Sequence, residues 1–195
     1  MKRRVATHGQ HFLRGSRLIG ELVGHSNIRR RDTVIDIGAG SGAISAVLAR
    51  RAARVVAYEN EPQALILLRR NMARHGNVKI VAQDFLRAEL PREPYKVFAN
   101  IPFSLSSKIV AKLAFADTPP RAIYLIVQKQ FAQKLVLDSA HFHGALGQAL
   151  APWWAVRIRR PLRRSDFTPP PAVDTVLLEL KLRAEPLLDP ALARN

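Results

Sequence analysis

The 195-residue chain contains no cysteine. A disulfide framework and a thiolate-bound metal are therefore excluded, and a cytoplasmic location is expected. No apolar run approaches the roughly 18 residues that a membrane span needs. The basic start Met1-Lys2-Arg3-Arg4 is not followed by the apolar stretch of a secretory leader. His141 and His143 have no acid beside them to complete a metal site, so they read as ordinary surface or core histidines and no metal is expected. Internal repeats and low-complexity segments are absent. Acids are scarce: 15 Asp and Glu stand against 31 Lys and Arg, a net charge of +16. That excess points to a polyanionic partner, nucleic acid first, over a merely soluble basic surface. The cations are spread along the chain, as in Arg29-Arg30-Arg31, Arg50-Arg51, Arg69-Arg70 and Arg163-Arg164, so the charge belongs to folded surface.

What is present is a regular alternation. Short apolar runs predict strands at Thr33–Ile37, Arg54–Tyr58, Val78–Ala82, Tyr95–Ala99, Ala122–Val127, Trp153–Ile158 and Thr175–Leu182. Helical spacing predicts helices over 17–25, 43–51, from Pro62 onward, 106–115, 129–137 and 143–150. Residues 1–16 read as an irregular arm, and Phe167–Val173 as a stiff proline loop. Trp153 and Trp154 are expected to pack the sheet. Strands alternating with helices imply a mostly parallel sheet with helices on both faces.

Three strand ends carry acids. Asp36 leads into Gly38-Ala39-Gly40-Ser41-Gly42, a glycine turn between strand and helix. An acid there suits a ligand with a free ammonium better than a pyrophosphate, and S-adenosylmethionine has an ammonium and no phosphate. Glu59 ends the next strand and can accept both ribose hydroxyls. Glu61 reads as a solvated acid. Asp84 can take the cofactor's adenine amine, or act only as a helix cap. Asn100-Ile101-Pro102-Phe103 follows the fourth strand. The Asn100 side chain and the Ile101 carbonyl can accept both hydrogens of an amine on a flat base, and Phe103 can stack on that base. Positioning and electrostatics would then drive transfer, without a covalent intermediate.

Gly9-Gln10-His11-Phe12-Leu13, Asp36–Gly42, Glu59, Gln83-Asp84-Phe85-Leu86, Asn100–Phe103 and Phe167–Val173 occur in an order that resembles the rRNA adenine N6-methyltransferases. Within them, Asn-Ile-Pro-Phe and Gln128–Lys134 resemble the erythromycin-resistance (Erm) branch more than its sister, the KsgA-type dimethyladenosine transferases. The resemblance implies a Rossmann-like class I S-adenosylmethionine-dependent fold with a seven-stranded sheet. It implies catalytic roles for Asn100, Ile101, Pro102, Phe103 and Phe167, the last beside an extruded adenine and opposite Phe103. It implies cofactor contacts from Gln10, His11 (in place of the commoner Asn), Leu13, Asp36, Gly38, Gly40, Gly42, Glu59, Asn60, Asp84, Phe85 and Asn100. Arg3, Arg4, Arg69, Arg70, Lys108, Arg159, Arg160, Arg163 and Arg164 are the candidates for RNA phosphates. The implied partner is 23S rRNA before full assembly of the large ribosomal subunit, met by a monomer. The implied consequence is resistance to macrolide, lincosamide and streptogramin antibiotics. A KsgA-type enzyme acting on 16S rRNA, and an RNA-binding protein that no longer transfers methyl groups, are the alternatives. Residues 1–183 are expected to form the catalytic domain, and 184–195 a tail or the stub of a C-terminal helical RNA-binding domain.

Overall fold

The computed structural model describes residues 11–188. Seven strands form the main sheet: β2 (Thr33–Ile37), β3 (Arg54–Glu59), β4 (Val78–Ala82), β5 (Lys96–Asn100), β6 (Ala122–Gln128), β7 (Trp154–Leu162) and β9 (Thr175–Leu182), in the order β4-β3-β2-β5-β6-β9-β7. The first five in sequence run parallel; β9 pairs antiparallel with both β6 and β7. The expected mostly parallel, seven-stranded α/β architecture is therefore found.

Period-two alternation divides each strand between two cores. Val34, Val55, Phe98, Tyr124 and Ile126 pack with α1 (Ser16–Gly24) and α2 (Ala43–Ala49), and α3 (Pro62–Met72) extends that layer over Ala57. Ile35, Val97, Ala99, Ile123 and Leu125 face the other way, toward α4 (Ser106–Ala114), α5 (Lys129–Leu135) and α6 (Ala145–Leu150). Because both faces are covered, Ala122–Val127 is a continuous buried run. Trp154 is fully buried, and Trp153 packs against the same core.

Several expectations are corrected. The arm is not irregular throughout: Phe12–Leu13 forms β1 and pairs antiparallel with β8 (Phe167–Thr168), tying the proline loop to the start of the described chain. Strand β7 continues past Ile158 to Leu162, through a bulge between Ile158 and Arg160 and across Pro161. It is an edge strand, where a missing N–H and a bulge cost little and discourage edge-to-edge pairing. Helices α5 and α6 are shorter than their apolar spacing suggests. Glu61 is not simply solvated; it caps α3, accepting from the Gln63 and Ala64 N–H groups at 3.1 and 2.6 Å, with Pro62 in the first turn. Arg3, Arg4 and Gln10 lie outside the described residues.

At the amino edge of the sheet, Lys96 is buried and its Nζ donates to Asp32 Oδ2 and to the Asn27 carbonyl, each at 2.7 Å. This pair pins the α1–β2 loop to β5. Removing Lys96 leaves the partly buried Asp32 carboxylate with only the Arg29 N–H and leaves the Asn27 carbonyl without this donor. Lys96→Met should lower unfolding free energy by about 3 kcal/mol in urea denaturation; a loss below about 1 kcal/mol would put the contact among ordinary surface ion pairs.

Candidate active site at the carboxyl edge of the sheet

The carboxyl ends of β2, β3 and β5 open onto a cavity of about 200 Å³, lined by His11, Phe12 and Leu13, by the glycine turn, by Asp36, Glu59 and Asn60, and by Asn100 to Phe103. A smaller cavity of about 70 Å³ adjoins it, sharing Gly38, Glu59, Asn60 and Pro102 and adding Asp84 and Phe85. The fold thus gathers most of the sequence-derived site on one sheet edge. Gly42 lines neither cavity. It sits at φ 88°, where a Cβ would come within 2.8 Å of Leu68 Cδ1, so it allows α2 to close against α3.

The two buried carboxylates differ in their surroundings. Glu59 accepts three backbone N–H groups: Gly40 on Oε2 at 2.7 Å, and Asn60 and Glu61 on Oε1 at 2.8 and 2.9 Å. It therefore holds the glycine turn in shape, and Oε2 keeps room for one more donor. Asp36 is also buried, and its partner is Ser45, whose hydroxyl donates to Oδ2 at 2.6 Å and whose backbone N–H adds a weaker contact; Oδ1 has no hydrogen-bond partner among the described residues. Burial pushes its carboxyl up to about 7; Ser45 pulls it back and the Glu59 charge pushes it further. Asp84 does act as a cap, accepting from the Leu86 N–H at 2.9 Å on Oδ1.

Asn100 ends β5, and its Nδ2 donates to the His11 carbonyl at 2.6 Å. A carbonyl only accepts, so the amide nitrogen must face it and Oδ1 is left as an acceptor at the cavity wall. The His11 ring meets the Pro169 carbonyl through Nδ1 at 2.8 Å. By the same logic Nδ1 carries a hydrogen and donates it to that carbonyl. That ring stacks on Phe103, with centroids 5.7 Å apart and planes 26° apart.

Here the expected pairing of Phe103 with Phe167 is corrected. Phe167 lines neither cavity; it is fully buried in the α1–α2 core, where β8 pairs it with Leu13. An apolar ring in a strand flanked by that core gains more from burial than from facing the cavity. Sequence reasoning also passed over Ser45, Phe12 and the Pro169 carbonyl. Among the RNA candidates, Arg69, Arg70, Lys108 and Arg163 are exposed. Arg159 reaches Glu179 at 3.7 Å, Arg160 reaches Glu21 at 3.2 Å, and Arg164 donates to the Ala172 carbonyl.

A raised carboxyl favours the folded state while it is protonated. Asp36 therefore contributes stability that is present below its ordinary value of 3.8 and lost as pH rises to about 7. Asp36→Asn should gain stability relative to wild type across that window, with no further change above it, when thermal unfolding is followed against pH. A cation placed against Oδ1 should release a proton below pH 7, so that binding of a cationic ligand tightens as pH rises to 7. A pH-independent stability difference would contradict the burial of this group.

The ribosomal RNA adenine dimethylase family model matches residues 2–193 of the chain. A Bacillus licheniformis rRNA adenine N-6-methyltransferase is 33% identical over 172 residues, covering 88% of this chain and 60% of that protein. A Streptococcus agalactiae ribosomal RNA small subunit methyltransferase A is 30% identical over 190 residues, covering 92% and 66%. The chain thus spans about 60% of the length of the Bacillus relative. The crystal structure of the 23S rRNA methyltransferase ErmE superposes with a TM-score of 0.84 at 32% identity, covering 92% of this chain and 73% of that one. A Plasmodium falciparum dimethyladenosine transferase shares the fold, with a TM-score of 0.79 at 22% identity. The glycine turn, the strand-end acids and the Asn-Ile-Pro-Phe edge therefore belong to a member of the ribosomal RNA adenine dimethylase family.

Proposed function

We propose that the chain transfers a methyl group from S-adenosylmethionine to the N6 amine of an adenine in 23S rRNA, presented extruded or unpaired. The observation that carries this reading is the committed amide of Asn100, whose nitrogen is held by the His11 carbonyl while Oδ1 stays free beside Ile101, Pro102 and Phe103.

The residues present suit that methyl donor. Its ammonium finds an unpartnered acceptor in Asp36 Oδ1. One of its ribose hydroxyls finds the remaining capacity of Glu59 Oε2; Oε1 is already filled by the Asn60 and Glu61 N–H groups, so the acceptance of both hydroxyls expected from the sequence is reduced to one. Its adenine is assigned to the side of the smaller cavity, where Asp84 and Phe85 offer an acceptor and an aromatic face. Among the described residues, none that lines either cavity is a Lys or Arg that could meet a pyrophosphate. When bound, the donor supplies a methyl group on a sulfonium.

The chain's own residues do the rest. The lone pair of an adenine amine is delocalised into the ring and is a poor nucleophile. Asn100 Oδ1 and the Ile101 carbonyl accept its two hydrogens and favour a pyramidal nitrogen with a localised lone pair. Phe103, braced by the His11 ring, gives the base a stacking surface. These contacts act on the transition state by orientation and charge, and no side chain forms a bond to the base. On this reading the enzyme works as a monomer on naked or incompletely assembled 23S rRNA, in the cytoplasm. The modified adenine would confer macrolide, lincosamide and streptogramin resistance.

The small-subunit methyltransferases among the relatives favour a second reading, transfer to 16S rRNA. The two separate in one assay. Labelled methyl should enter naked 23S rRNA at one mapped adenine and leave 16S rRNA and small subunits untouched; the reverse pattern would establish the second reading. Donor binding without transfer to either RNA would mark a non-catalytic RNA-binding protein. Asn100→Ala should lower single-turnover transfer at least about a hundredfold, with donor affinity within a few fold of wild type. Asn100→Asp should be no better, because its carboxylate would face the His11 carbonyl. Near-normal turnover in Asn100→Ala would overturn the proposed role of the amide.

A further inference from the structure

The two edges of the sheet carry charge in different ways. At the cavity edge, Arg87, Lys129, Arg163 and Arg164 are interspersed with Glu59, Glu61, Asp84, Asp166 and Asp174. At the opposite, amino edge, Arg29, Arg30 and Arg31 lead into β2, while Arg50, Arg51 and Arg54 lead into β3; all six are exposed. The fold sets these two runs side by side. Thr33 lies opposite Arg54 in the β2–β3 ladder, and the Ala53 and Arg54 N–H groups both donate to the Asp32 carbonyl, at 3.0 and 3.3 Å. Among the described residues none of the six guanidinium groups has an acidic partner. The acid between them, Asp32, already accepts from Lys96 Nζ and the Arg29 N–H on Oδ2. A groove of about 380 Å³ between α1 and α2 adjoins the patch at Arg50 and Arg51 and ends at Ser16 and at Arg17, which is paired with Glu21 at 3.4 Å.

Like charges held together without counter-charge repel one another. A polyanion relieves that repulsion, and guanidinium forks match phosphate oxygens in shape and charge. An acidic protein would also meet the charge. However, neither arginine run contains a large apolar residue, and the centre of a protein interface is apolar. We propose that this amino-edge arginine surface is a second RNA contact, binding the sugar–phosphate backbone of a part of the RNA remote from the methylated adenine. The inference rests on the rRNA methylation reading above. Strand β2 alone separates the patch from the glycine turn by about 16 Å at roughly 3.3 Å per residue. Because the patch lies at the opposite end of the strands from the cavity, we assign it to a second arm of a folded RNA and not to the extruded nucleotide itself. Contact with phosphate carries no sequence information, so this surface holds the substrate's shape and not its bases.

The test is rRNA binding by filter retention across a KCl series, using the naked rRNA that wild type methylates. Wild type is compared with two sixfold variants, in which Arg29, Arg30, Arg31, Arg50, Arg51 and Arg54 are all changed to Gln or all to Lys. The Gln variant should bind intact rRNA about tenfold more weakly or worse, and its log K against log salt slope should be shallower by about 2 to 4. The Lys variant should restore the slope. A short stem–loop carrying the mapped adenine should bind wild type and the Gln variant alike. Melting temperature and donor affinity serve as folding controls. An unchanged slope in the Gln variant would overturn the second contact while leaving the methylation reading intact. Equal loss on the stem–loop would also overturn it, since the defect would then lie at the cavity. If wild type neither binds nor methylates rRNA, the methylation reading itself falls, and this surface with it.

Discussion

A backbone carbonyl can only accept a hydrogen bond, and at His11 that limitation organises the site. It draws the Asn100 nitrogen inward at 2.6 Å and turns Oδ1 toward the cavity. The carbonyl is in place because Phe12 and Leu13 are held by β8, and β8 is held by the core around Phe167. The same residue's ring binds the Pro169 carbonyl and braces Phe103. One short antiparallel pairing thus couples the start of the described chain, the proline loop and the end of β5. A residue with no catalytic group to offer, Phe167, supports the site from beneath.

The carboxylates divide labour in the same economical way. Glu59 is surrounded by three N–H donors, and its negative charge is spent on shaping the glycine turn. Asp36 has Ser45 as its partner and, among the described residues, an oxygen without a hydrogen bond, which is costly in a buried position. A fold that keeps such a group at a cavity wall stores an unmet demand for a cation or a donor. The contrast explains why two acids at neighbouring strand ends are not interchangeable. One stabilises the turn; the other is the acceptor assigned to the donor's ammonium in the proposed function.

Much of this was legible in the residues. Apolar runs and helical spacing located all seven main-sheet strands, and Pro62 marked the start of α3. The strand-end acids Asp36 and Glu59 and the Asn100 edge were all placed at strand ends, where the fold gathers them on one cavity. What stayed hidden has a physical reason in each case. A two-residue strand has no periodicity, so the β1–β8 pairing at Phe12 and Phe167 is set by long-range register alone. The hydrogen bond from Ser45 to Asp36 spans a turn whose geometry residue types do not reveal. Glu61 looks solvated until the helix it caps is in view. The extension of β7 across Pro161 depends on its being an edge strand, which is a property of the sheet order and not of local sequence. The gathering of two arginine runs depends on the same order, since only the β2–β3 pairing brings Arg31 near Arg54.

The central claim is that Asn100 Oδ1 accepts a hydrogen from the target amine. The most direct measurement is a double-mutant cycle on binding, with wild type or Asn100→Ala on one side and, on the other, RNA carrying adenine or an amine-free purine at the mapped position. A coupling energy of about 1 to 2 kcal/mol between side chain and amine is expected. Effects that add to within about 0.5 kcal/mol would show that the amide and the amine do not meet.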